Sequence, residues 1–151
     1  MIPIIDTHQH MWDLKEFSLP WLEGVDQLNK SYSMGDYLIA SEKSGISQTI
    51  YMEVDVDPSQ RTKEVDYISD FCARDDNPMV AAVVSGEPAG QDFFTHVKSY
   101  RDNKYVKGVR QVLHVPEIPR SFCLEKSFID GVRYLGCLLY TSPSPRDGLL
   151  S

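Results

Sequence analysis

Met79-Val-Ala-Ala-Val-Val84 is an uninterrupted apolar run, closed by Gly86-Glu-Pro88. A strand with one wet face alternates apolar and polar side chains, so an unbroken run belongs to a strand covered on both faces. In a single chain that cover comes from helices on a parallel sheet, and parallel neighbours are joined by long crossover connections. The run therefore predicts an α/β fold, provided strands and helices alternate around it.

They do. Ile46-Ser-Gln-Thr-Ile-Tyr-Met-Glu-Val54 is rich in β-branched and aromatic residues and predicts a second strand, ending in Glu53 and Asp55. Tyr105 to Leu113 predicts a fourth, with Gly108 inside it, where a ligand or a neighbouring backbone often approaches closely. The first strand is the short run through Ile2, Ile4 and Ile5. Between strands, Ser33-Met-Gly-Asp36 has the form of a capping box and starts a helix with Tyr37, Leu38, Ile39 and Ala40 on its buried side and Gly45 as C-cap. Asp57-Pro58 supplies an N-cap and an N1 proline, followed by Val65, Ile68, Phe71 and Cys72 at helical spacing. Phe93, Phe94, Val97 and Tyr100 form a helical stripe that reads as core packing, with His96 a structural residue between them. Phe128, Val132 and Leu135 at i, i+4, i+7 predict a last helix. Four β/α units in this order imply right-handed parallel crossovers. Doubly wound sheets of this kind usually carry a Gly-rich phosphate turn, and the sequence has none.

Composition narrows the partners. The 151 residues are 42% hydrophobic and 25% charged, with a formal net charge of −7. That balance, with no basic cluster beyond Lys104 and Lys107, argues against a nucleic-acid partner, since few phosphate counterions would be released. No apolar run approaches the roughly 18 residues of a membrane span, and no basic segment followed by an apolar stretch marks a signal peptide. Cys72, Cys123 and Cys137 are scattered without metal-ligand spacing and read as reduced thiols, which places the protein in the cytoplasm.

The chemistry concentrates directly behind the first strand, in Asp6-Thr-His-Gln-His-Met-Trp12. Alternate strand residues share a face, so Asp6, His8 and His10 are expected to point the same way. Two imidazoles so spaced, at the carboxyl end of an apolar strand, can hold one divalent metal or polarise one water or carbonyl together. Sites of α/β proteins lie at that end. Arg110 is a second candidate, near the carboxyl end of strand four, because a guanidinium binds a carboxylate through two bonds. His114, four residues on, and Glu53, as ligand, support or solvated strand end, complete the substrate-binding candidates. The connection from Met11 to Tyr32 carries Trp12 and Trp21; it reads both as a loop pinned to the core and as a lid over the site.

Ile4-Ile-Asp-Thr-His-Gln-His-Met-Trp-Asp13 resembles the first barrel strand of the amidohydrolase superfamily. More narrowly, its Asp-x-His-x-His-x-Trp is similar to the amidohydrolase-related, lactonase-like branch of sugar-lactone, pyrone-dicarboxylate and sulfomuconolactone hydrolases. Val106-Lys-Gly-Val-Arg-Gln-Val-Leu-His114 is similar to that branch's fourth strand. The resemblance implies the N-terminal half of a TIM (β/α)8 barrel, about four β/α units, spanning residues 1–136. It implies hydrolysis of a lactone of a sugar acid or carboxylated ring, with His8 and His10 as catalytic and metal residues. The cofactor is then one divalent, zinc-like ion, although the branch also has metal-independent members in which the histidines orient the substrate. An eighth-strand aspartate, outside this half, serves as general base. The alternatives are a metal-dependent decarboxylase of an aromatic or unsaturated acid, and an inert half-barrel without enzymatic activity; the chain of 151 residues by itself is expected to be inactive.

The end of the sequence changes character. Cys137-Leu-Leu-Tyr-Thr-Ser-Pro-Ser-Pro-Arg-Asp147 resembles the conceptual translation of a transposase-type sequencing adapter. Residues 137–151 are accordingly expected to be a non-native tail, with native sequence stopping near Gly136.

Overall fold

In the computed structural model, which describes residues 2–138, four parallel strands alternate with helices. The strand order is β1-β2-β3-β4, the α/β pattern of half a (β/α)8 barrel. Two compact units, Met1–Ala82 and Val83–Ser151, divide the chain within the third strand.

In the first unit, β1 (Ile4–Gln9) lies parallel to β2 (Ile46–Met52), with Ile4 opposite Ile46, Asp6 opposite Thr49 and Gln9 opposite Tyr51. The amide of Thr49 donates to the Pro78 carbonyl at 2.8 Å, just ahead of β3 (Met79–Ser85). Helix α1 (Met34–Ser41) opens with the expected capping box: the Ser33 hydroxyl accepts from the Asp36 amide, and the Asp36 carboxylate accepts from the Ser33 amide. The four consecutive apolar residues Tyr37 to Ala40 do not form its buried side. Successive helical residues are about 100° apart, so four in a row cannot share a face. Met34 and Tyr37 turn toward β1, while Leu38 and Ile39 are 42% and 78% exposed. Gly45 is not the C-cap either. The helix ends at Ser41, and Gly45, at φ 77°, makes the turn into β2, a left-handed conformation that costs glycine little.

Asp57 caps a short 3-10 turn (Pro58–Gln60) that leads into α2 (Arg61–Cys72). Val65, Ile68 and Cys72 of α2 are buried as the periodicity requires, Phe71 is half-buried, and Glu64 is buried with them. The long connection after β1 is pinned rather than loose. Trp12 and Tyr32 exchange backbone hydrogen bonds, the Trp12 indole donates to the Lys30 carbonyl, and Met11, Phe17, Leu19 and Leu22 join the core.

In the second unit, the Gly86 amide donates to the Arg110 carbonyl at 3.0 Å, tying the end of β3 to β4 (Val106–Arg110). Both β2 and β4 are shorter than their apolar composition suggested. Phe93 and Val97 of α3 (Phe93–Ser99), with Tyr100, are buried; Phe94 is not part of that stripe but packs edge-on against Tyr134 of α4 (Lys126–Cys137). Gly131 of α4 lies against the loop after β3, where a Cβ would sit 2.1 Å from the Pro88 carbonyl oxygen. His96 is structural, as expected, with Nε2 on the Ser85 carbonyl and its ring against Tyr100. The three cysteines are free. Among the described residues no helix is long and apolar enough to cross a membrane. The adapter-like reading concerns residues 137–151, of which 139–151 lie outside the described residues.

Candidate functional site

The register of β1 on β2 decides which side chains meet. From Asp6 to Gln9 the first strand advances three residues while its partner advances two, from Thr49 to Tyr51. An extra residue of this kind reverses side-chain parity across the irregularity. Asp6 therefore does not share a face with the histidines. Its carboxylate accepts from the Tyr37 hydroxyl at 2.7 Å, and Gln9, three residues on, reaches the Met34 sulfur at 3.8 Å, so both turn toward α1. His8 and His10 flank Gln9 and project the other way.

There the two rings meet edge to face, with centroids 4.8 Å apart and Nε2 of His8 3.1 Å from Nε2 of His10. His10 Nδ1 lies 2.9 Å from the Met52 carbonyl at the end of β2. A carbonyl only accepts, so Nδ1 carries the proton and the Nε2 of a neutral His10 presents a lone pair. Zinc–imidazole bonds of about 2.0–2.1 Å at a tetrahedral angle place two nitrogens roughly 3.3 Å apart, so this pair fits two positions around one ion. Locking the remote nitrogen on a carbonyl is also how metal-ligating histidines are oriented. Among the described residues no group of three His, Cys, Asp or Glu side chains could hold a metal, so His8 and His10 stand there as a pair.

Glu53, immediately beyond β2, is not a solvated strand end. It is buried, and its carboxylate accepts the Asp55 amide at 2.7 Å. That bond accompanies a positive φ of 52° at Asp55, a conformation uncommon outside glycine and concentrated at functional sites. The Trp21 indole donates to the neighbouring Val54 carbonyl at 2.7 Å, which fixes the same turn from the long connection. Arg110 and His114 belong to the second unit. Arg110 is the last residue of β4 and half-buried, and His114 is exposed in the segment that follows.

Sequence reasoning missed Glu64. Its Oε1 accepts both the Tyr51 hydroxyl at 2.8 Å and the Val54 amide at 3.1 Å, while its Oε2 is buried without a hydrogen-bond partner. Burial pushes its carboxyl up to about 7; Glu53 and Asp55 add to the rise, and the bonds from Tyr51 and Val54 oppose it. Tyr51, also buried, has its hydroxyl held well above the ordinary range by burial and by Glu64. The signal was present in the spacing: Glu64, Ile68 and Cys72 fall at i, i+4, i+8, which puts an acid in a core register.

No family model matches the chain. An uncharacterized protein of Sinorhizobium fredii, y4mH, is 24% identical across 80% of this chain and 47% of its own length. Among solved structures, amidohydrolase 2 from Bifidobacterium longum subsp. infantis is similar with a TM-score of 0.67 and 22% identity, over 94% of this chain and 51% of that one. An amidohydrolase from Burkholderia multivorans with bound zinc is similar with a TM-score of 0.70 and 21% identity, over 91% and 47%. A probable 2-pyrone-4,6-dicarboxylic acid hydrolase from Acinetobacter baumannii, with citric acid bound, has a TM-score of 0.62 and 10% identity, over 91% and 47%. The chain thus spans about half the length of the relatives it matches. At these identities the likeness is one of fold, and the fold is that of about half an amidohydrolase chain.

Proposed function

We propose that residues 1–136 are the first half of an amidohydrolase-related hydrolase that opens a lactone of a sugar acid or carboxylated ring. The observation that carries this reading is the convergence of His8 and His10, Nε2 to Nε2 at 3.1 Å, with the His10 ring held by the Met52 carbonyl. The fold likeness to a probable hydrolase of 2-pyrone-4,6-dicarboxylic acid, a cyclic ester bearing two carboxylates, supports the substrate class. A zinc-like ion, when bound by His8 and His10, supplies Lewis acidity toward an ester carbonyl.

The chain's own residues then have distinct tasks. His10 keeps its proton on Nδ1 and turns Nε2 to the site; His8 sets the second nitrogen beside it. In the second unit Arg110 and His114 are assigned to the substrate, the guanidinium matching a ring carboxylate, and Glu53 is the candidate of the first unit. In hydrolysis, water adds to the ester carbon, the ring C–O bond breaks, and the product is the open hydroxy acid. The base that accepts the water's proton lies outside this chain in this reading. The 151-residue chain alone is accordingly inactive. Residues 137–151 are proposed to be adapter-derived, which the genomic reading frame beyond the Gly136 codon tests directly.

The decisive assay incubates the full-length protein with carboxylated lactones and, separately, with aromatic and unsaturated acids. Ring opening, measured as acid release, is expected. Evolution of CO2 without ring opening would overturn the lactone reading in favour of a decarboxylase.

A further inference from the structure

The end of β2 is held from below by a buried carboxyl that no step above uses. Glu64, 2% exposed, collects the Tyr51 hydroxyl and the Val54 amide on a single oxygen. The Tyr51 hydroxyl also lies 3.5 Å from the carbonyl of Met11, the residue after His10. Val54 is two residues beyond Met52, whose carbonyl fixes His10. One side chain on α2 thus grips both backbone segments that set the His10 ring: the one that carries it and the one that orients it.

We propose that Glu64 is a positioning residue, held as a neutral carboxylic acid, that fixes the tautomer and direction of His10 through Tyr51 and the Met52–Val54 backbone. The hydrogen-bond pattern has the shape of a neutral acid. Both donors converge on Oε1, as on the carbonyl oxygen of a neutral acid, and no donor of the protein reaches the buried Oε2, which an ionised carboxylate would require as much as Oε1. The titratable groups around it agree. Tyr51 faces it from β2, and Glu53 and Asp55 from the turn beyond; the two acids disfavour a third negative charge. A glutamine fits the same pattern, its carbonyl taking both donors, whereas leucine retains the bulk and accepts neither.

This inference rests on His10 being a site residue, and its test needs neither substrate nor metal turnover. Long-range 15N–1H NMR spectra of the 151-residue chain report the His10 tautomer directly. Wild type and Glu64→Gln should both show Nδ1–H. Glu64→Leu should shift the population toward Nε2–H and weaken Zn2+ binding about tenfold, the lower end of what removing an orienting partner costs. A folded Glu64→Leu chain whose His10 remains Nδ1–H overturns the proposal, as does a wild type that lacks that tautomer. Where Glu64→Leu fails to fold, Tyr51→Phe removes one donor and keeps the ring; it must move the tautomer the same way, and an unchanged spectrum overturns the proposal. A moved tautomer in the 151-residue chain combined with absent lactone hydrolysis by the full-length protein would leave Glu64's role standing and remove the hydrolase reading alone.

Discussion

Glu64→Gln should change how stability depends on pH, with a sign that the structure dictates. The folded state raises the Glu64 carboxyl from 4.5 to about 7, chiefly through burial. Between those two values the folded chain holds a proton that the unfolded chain has released. Stability therefore falls as pH rises through that window; it is fully present below the unfolded value and flat again above the folded one. At about 1.4 kcal/mol per pH unit, the whole displacement amounts to roughly 3 kcal/mol, and no solvent discount applies because the group is buried. Other carboxylates push the opposite way at lower pH. Asp76, beside Arg74, is held down to about 2, and the carboxylates of Asp13, Asp36 and Asp57 are lowered by local hydrogen bonds. Subtracting the Glu64→Gln curve from the wild-type curve cancels these. Urea unfolding of both chains from pH 4 to 8 should give a difference that declines by up to about 3 kcal/mol between pH 4.5 and 7. A flat difference, or one that rises with pH, would refute the neutral, buried acid.

Two further outcomes follow from packing. Gly131→Ala places a Cβ against the Pro88 carbonyl, 2.1 Å from its oxygen, so α4 must shift; a loss of about 2 kcal/mol in urea unfolding is expected, and an unchanged midpoint would contradict the contact. Ile4 and Ile5 of β1 and Ile2 just ahead of it are exposed, and among the described residues no strand pairs with the outer side of β1. Open apolar edges promote association, so the 151-residue chain should self-associate in light scattering and Ile5→Lys should reduce it; identical scattering would count against the edge.

The α/β alternation was legible because it rests on periods that burial enforces. Met79–Val84 carried the buried strand, Ser33 and Asp36 carried a helix start, and Val65, Ile68 and Cys72 carried a helix face. The His8–His10 pairing was legible for the same reason, since i, i+2 spacing survives wherever the backbone stays extended. Asp6 was not, because one irregularity in register between Asp6 and Gln9 reverses parity, and nothing in the composition of Asp-Thr-His-Gln announces it. Leu38 and Ile39 misled because apolar identity does not say whether a helix has a neighbour on that side. Glu64 was hidden for the converse reason. A carboxylate on a helix reads as solvated unless its register is weighed above its charge.

The central claim is that His8 and His10 act together on an ester carbonyl. It is tested most directly by kcat/KM for lactone hydrolysis by the full-length protein carrying His8→Ala, His10→Ala or both. Each single change should cost about 100-fold or more with the fold intact, and the double change little beyond that, because groups acting as a unit are not additive. Either single variant remaining within about threefold of wild type, far short of what electrostatic or acid–base groups contribute, would contradict it.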